Sequence, residues 1–192
     1  MKKLNVLLAL VLLAGAVKAQ GTWDIDKVHS NIGFNVQHMV VSEVYGAFKD
    51  FSGTVVSKNA DFDGADVDFT AKVMSIDTDN ERRDGHLKTD DFFNAEKYPD
   101  VTFKGVLSKS GGKYQLKGKL TMKGVTKDAT FDVTYGGTID TGKGVKAGFK
   151  LTGKINRQDY GLKFASKMQD GSAVVSDEVE VVCKLELNKK AA

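Results

Sequence analysis

The sequence predicts an all-β protein, an antiparallel barrel of about eight strands with one short helical insert. Apolar and polar residues alternate with a period of two through most of the chain, and short Gly-rich or Asp-Gly turns separate the alternating runs. One stretch, Arg82 to Pro99, breaks the pattern and holds the only proline. A period of two puts alternate side chains on opposite faces of a strand. The shared apolar face must then be covered, either by sandwiching or by closing into a barrel.

The chain opens with Lys2 and Lys3, an apolar run from Leu4 to Val17, and small residues around Ala19. This is the pattern of a secretory signal peptide cleaved near Ala19. The run is shorter than the roughly 20 residues of a membrane span. Residues 1–19 are therefore assigned to the leader and 20–192 to a single domain, expected in the periplasm or secreted, with no stable membrane insertion.

The alternating runs follow in order. Ile32, Phe34, Val36 and His38 share one face, and Val67, Phe69, Ala71 and Val73 another. Then come Val101 to Leu107, Leu116 to Met122, Ala129 to Tyr135, Val145 to Ile155 and Val179 to Leu187. Phe48 is out of phase with Phe51 and Val55, which predicts a bulge between the two aromatics. Gly53, Gly105, Gly118 and Gly153 occupy apolar-face positions inside strands. Glycine there costs roughly 0.5–1 kcal/mol relative to Ala, and its usual reasons are a bend or a close approach. The reading drawn from them is a bent, closed sheet whose lumen its own side chains do not fill.

Within the break, Thr78-Asp79-Asn80-Glu81 matches a capping box and predicts a helix from about Asp79 to Leu87. Phe92, Phe93 and Tyr98 follow as a bulky apolar plug. Arg83 and Asp84, with Arg157 and Asp159, are expected to tie this insert to the barrel wall through ion pairs, or to hold a ligand's polar head.

Several function classes are disfavoured. Without Lys2, Lys3 and Lys18 of the leader, the 28 basic side chains fall to 25, matching the 25 acidic ones. Such a balance gives no electrostatic footprint for nucleic acid. The lone Cys183 sits on an apolar face, as a packed, inert thiol. Ser30 adjoins His29, but neighbours along a strand point apart, so a nucleophile–base pair does not form. His29, His38, His86 and Asp84 are the candidate ligands of a metal-dependent enzyme, although they lack any recognised metal-binding spacing.

The motifs W-x-I-D-x-x-H-S-x-I-x-F-x-V-x-H (Trp23 to His38), R-D-x-H-L (Arg83 to Leu87), D-F-F (Asp91 to Phe93), Y-P-x-V-x-F (Tyr98 to Phe103), G-x-L-T-x-K-G-V-T (Gly118 to Thr126) and R-x-D-Y-G (Arg157 to Gly161) resemble the YceI-like family of periplasmic polyisoprenoid-binding proteins. Lys27 stands where that family often has Pro, and Tyr160 where Phe is common. The resemblance implies an extended, lipocalin-like barrel with an apolar tunnel for a long isoprenoid chain or similar amphiphile, such as an isoprenoid quinone. It implies no catalytic residue set and no cofactor. The apolar face then nominates as tunnel lining Phe34, Val36, Phe48, Phe51, Phe69, Val73, Phe103, Leu120, Met122, Phe131, Phe149 and Leu151, with Phe92 and Phe93 at a closed end or gate. His29, His38, Arg83, Asp84, His86 and Arg157 are candidate head-group or latch residues. The expected partner is a long-chain lipid, and the expected state is a monomer or homodimer. A packed barrel acting only as a stress-response or interaction module is the remaining alternative.

Overall fold

The computed structural model describes residues 20–191, so the leader assigned above lies outside the described residues. The chain forms strands β1 (Gly21–Ile25), β2 (Asn31–His38), β3 (Ser42–Phe48), β4 (Phe51–Ser57), β5 (Ala65–Lys72), β6 (Ile76–Asp77), β7 (Asp100–Ser110), β8 (Lys113–Met122), β9 (Val125–Asp140), β10 (Val145–Asn156) and β11 (Val175–Lys189). Among the described residues the one α-helix, α1 (Glu81–Lys88), lies between β6 and β7, with short 3-10 turns at Val73–Ser75 and Arg157–Tyr160.

These eleven segments make eight staves. β11 pairs first with β2 (Val181 opposite Phe34) and then with β1 (Leu187 opposite Ile25), so β1 and β2 are one long stave interrupted at residues 26–30. β3 with β4, interrupted at Lys49 and Asp50, and β5 with β6 behave likewise, because β4 pairs with β1 and β5 while β3 pairs with β2 and β6. Every neighbouring pair is antiparallel, and the β1–β11 pairing closes the ring. Closure leaves one inner face, which is why the period-two alternation runs almost unbroken.

The barrel has two ends. Both described termini, the β4–β5 loop and the Gly111-Gly112 turn lie at one. The other carries α1, the β2–β3 turn and the long β10–β11 connection. At the terminus end, Phe62 folds inward from the β4–β5 loop and is fully buried. Its ring meets Trp23 (centroids 5.2 Å apart), Phe149 (5.0 Å) and Tyr135 (5.6 Å). Tyr114 Oη donates to Asp61 O at 2.7 Å and fixes the loop in place. At the helix end, Phe92 stacks on Phe164 (4.9 Å) and Phe93 meets Phe48 edge-on (6.0 Å).

Three local expectations are corrected. The helix cap is Asn80, whose side chain accepts from Arg83 N–H at 2.9 Å, and the helix starts at Glu81. The Thr78 hydroxyl instead donates to Asp84 at 2.5 Å. The break between Phe48 and Phe51 is a gap between strands rather than a bulge within one. The in-strand glycines also do not open onto free lumen. A Cβ on Gly153 would lie 2.6 Å from the Phe131 ring, and one on Gly118 would run into the Lys104 carbonyl and, at 2.7 Å, the Phe103 ring. Their reason is close approach: the Phe103 ring comes up against Gly105 and Gly118, the Phe131 ring against Gly153, and the Ile25 side chain against Gly53.

Candidate functional site

A cavity of about 230 Å³ occupies the barrel, many times the roughly 10–15 Å³ that one water needs. Its reach follows from β11, where Val175, Val179, Val181, Cys183, Leu185 and Leu187 all line it. Those positions span about 40 Å of strand at roughly 3.3 Å per residue. So modest a volume along so long a path makes a narrow passage. Its side-chain wall is hydrocarbon apart from the Cys183 thiol and Arg157. Water inside would find almost no hydrogen-bond partners, whereas a hydrocarbon chain would lose nothing by entering.

The alternation places most nominated residues here. Phe34, Val36, Phe48, Phe69, Phe103, Leu120, Met122, Phe131, Phe149 and Leu151 lie on the cavity wall, and Phe92 and Phe93 close it at the helix end. Phe51 and Val73 do not line it. They are 4% and 1% exposed, packed in the core where their staves break: Phe51 is the first residue of β4, in phase with Val55 but beyond the end of the cavity wall, and Val73 has left β5 for a 3-10 turn. The wall residues of β11 share a face already visible in the alternation. Leu162 lies in a segment without alternation, so no periodic signal points to it.

The polar candidates disperse. Only Arg157 reaches the cavity. It is 4% exposed, and its Nε donates to Ser176 O (2.9 Å), Nη1 to Leu162 O (2.6 Å) and Nη2 to Asp177 Oδ1 (2.8 Å). Burial pulls the guanidinium below its ordinary pKa, and the Asp177 charge opposes that shift. A guanidinium has five N–H donors, so those three bonds leave capacity for an acceptor entering from the cavity.

Arg83 and Asp84 form a separate knot around Thr78. Asp84 accepts from Thr78 N–H (2.9 Å), while Arg83 Nε donates to Thr78 Oγ1 (2.8 Å) and Nη2 to Thr78 O (2.6 Å). This fastens α1 to β6. The expected network joining Arg83 and Asp84 to Arg157 and Asp159 does not form: Arg157 pairs with Asp177. His86 contacts Asp91 at 2.8 Å and sits edge-on to Phe92 and Phe164 above the closed end. His38 ends β2.

His29, His38, His86 and Asp84 do not come together as one metal site. His29 instead lies with Asp26 and Glu186, whose ligand atoms fall within 4.8 Å of one another. Lys146 Nζ sits among them, 3.1 Å from Asp26 and 2.5 Å from Glu186, and supplies the positive charge these carboxylates need. The cluster joins the β1–β2 interruption to β10 and β11.

A closed, eight-stranded antiparallel barrel around a hydrocarbon passage defines the lipocalin-like class of binding folds. The chain belongs to the YceI-like family, whose domain model matches residues 23–187. It is 38% identical to a UPF0312 protein of Photorhabdus laumondii, over 86% of this chain and 88% of that one. Among solved structures, the Campylobacter jejuni YceI protein is 36% identical with a TM-score of 0.71, covering 86% of this chain and 96% of its own. Burkholderia cenocepacia BcnA is 26% identical with a TM-score of 0.73, covering 84% and 98%. A polyisoprenoid-binding domain from Saccharophagus degradans shares the fold at 17% identity and a TM-score of 0.64, covering 88% and 98%.

Proposed function

We propose that this chain is a non-enzymatic carrier or sequestering protein for a long isoprenoid or similar amphiphile, held in the barrel passage and handled outside the cytoplasm. The observation that carries the reading is the passage itself, long, narrow and walled by hydrocarbon apart from Cys183 and the buried Arg157. Each methylene moved from water into it contributes about 0.8 kcal/mol. Tight binding therefore needs only chain length, with Arg157 free to meet an oxygen on the head group. The fold shared with a polyisoprenoid-binding domain agrees with this, although at 17% identity that likeness speaks for architecture alone. The apolar leader read at residues 1–19 supports a site of action outside the cytoplasm.

The direct test is native mass spectrometry, with organic extraction, of the protein purified from its own host. A stoichiometric prenyl or similar long-chain lipid is expected. Protein that is empty, and that also takes up no prenyl chain when offered one in detergent, would remove the carrier reading.

A further inference from the structure

The β2–β3 turn differs from the other hairpin turns among the described residues. Gly111-Gly112, Lys123-Gly124 and Thr141 to Gly144 are glycine-containing, and four of those glycines, Gly111, Gly112, Gly124 and Gly142, have φ between 57° and 79°. At β2–β3 the turn is Met39-Val40-Val41. Met39 and Val40 have φ of 50° and 64°, and Val41 N–H donates to His38 O at 3.3 Å. Two successive positive φ values belong to a turn that Asn and Gly make without strain, and a β-branched residue is an outlier there. The strain buries nothing, since Val40 is 64% and Val41 86% exposed. Strained backbone presenting apolar side chains to solvent is a feature that points to an external contact.

We propose that this turn is a bilayer-contact element: Val40 and Val41 enter the apolar layer of a lipid surface and bring the helix end of the barrel against it. The inference rests on the lipid-binding reading of the passage. The turn adjoins that passage, because Val36 on β2 and Val175 on β11 line it, and Val175 pairs with His38 immediately before the turn. Met39 N–H donates to Val174 O at 3.0 Å, which holds the turn against the strip that leads to Lys167. Lys167 is exposed and has no ion-pair partner among the described residues, as suits a cation meeting lipid phosphates. A protein partner fits less well. A stable interface takes roughly 20–30 residues a side, whereas three apolar side chains suffice to enter a fluid layer that needs no matching surface.

The test uses the full chain carrying Val41→Trp, or Lys143→Trp at the opposite end, with vesicles of phosphatidylethanolamine and phosphatidylglycerol whose acyl chains are brominated. Trp23, the only native tryptophan, is buried and gives a constant background. Emission from position 41 is expected to shift to the blue and fall about twofold, with position 143 unaffected. Position 41 remaining open to aqueous iodide and untouched by the bromolipid would overturn the proposal. So would a blue shift without vesicles that tracks dimer formation, since the occupant would then be a second copy.

The paired substitutions Val40→Asp and Val41→Asp should slow transfer of a fluorescent prenyl alcohol from vesicles about tenfold while leaving its affinity from detergent unchanged. An unchanged transfer rate would overturn the proposal. Failure of the unaltered protein to bind the alcohol from detergent would instead sink the reading of the passage, and penetration at position 41 would then decide the bilayer contact alone.

Discussion

A methyl group at position 118 has nowhere to go. Its Cβ would meet the Lys104 carbonyl, Gly105 Cα at 2.5 Å and the Phe103 ring at 2.7 Å. The first two are backbone of the paired strand and do not swing aside. Gly118→Leu should therefore cost at least about 1–3 kcal/mol, the range for overpacking a filled site, and show as a lower urea midpoint. A variant meant to block the passage has to start from a side chain already on its wall. Val181→Phe on β11 extends into open volume, so its melting temperature should stay close to that of the parent while its lipid content falls. Cys183 gives a second test at this scale. Burial pushes its thiol up to about 12 from 9.0, so the thiolate fraction near neutral pH falls about a thousandfold. An aromatic disulfide reagent should label it only as fast as the barrel opens. Rapid labelling of native protein would show that the passage admits reagent and that the thiol is not shielded.

Interruptions between paired segments create the elements that need fastening. At residues 26–30, Asp26 accepts from the backbone of Val28 and His29, from the His29 ring, from Lys146 and from Asn188. The His29 hydrogen bond, more than any other contact, holds its carboxyl far below the ordinary 3.8, with Asn188, Lys146 and Val28 adding to the effect against the cost of burial. The folded-state pKa thus lies below the unfolded one. Its contribution to stability is complete above about pH 5 and is lost as the pH falls through 4 and below. Asp26→Asn should flatten that acid limb in urea midpoints measured from pH 7 to pH 3, whereas an unaltered slope would mean the clamp carries no linkage. The insert is tied by Asp84 to Thr78 in the same way. Asp84→Ala leaves the Thr78 amide without its acceptor, at about 1–3 kcal/mol, and hydrogen exchange should quicken across residues 81–95 before it does in β7 to β11.

These fastenings mark where the sequence stops being legible. Alternation specifies an inner face from position to position, so the sequence alone puts Phe103, Leu120, Phe131 and Leu151 on the face that lines the passage. It does not say where along a stave the passage ends: Phe51 and Val73, each beside an interruption, are buried in the core off the passage wall. Thr78 and Glu81 satisfy the capping-box pattern, yet Thr78 spends its hydroxyl on Asp84. That choice depends on β6 and α1 meeting in space. Phe62 and Leu162 lie in connections with no period at all, and only the fold reveals their contacts.

For the molecule as a whole, the two ends of the passage are built differently, and this bears on how a long chain would enter. The terminus end is a floor. Phe62 is fully buried among Trp23, Tyr135 and Phe149, held by a loop that Tyr114 and Asp61 pin down, so opening it would break several aromatic contacts together. The helix end is the lid in this reading. Phe92 and Phe93 follow an eight-residue helix tied to the barrel by the knot at Thr78 and by Lys123 Nζ donating to Asp90 O, and Phe164 comes from a connection largely free of regular structure. Phe62→Ala should behave as a core truncation, costing about 3–5 kcal/mol of stability with little change in how fast lipid exchanges in the protein that remains folded. Phe92→Ala together with Phe93→Ala should speed both loading and release of a fluorescent prenyl chain in stopped-flow measurements. If Phe62→Ala accelerates exchange and the double variant does not, the passage opens at the terminus end and the assignment of lid and floor is reversed.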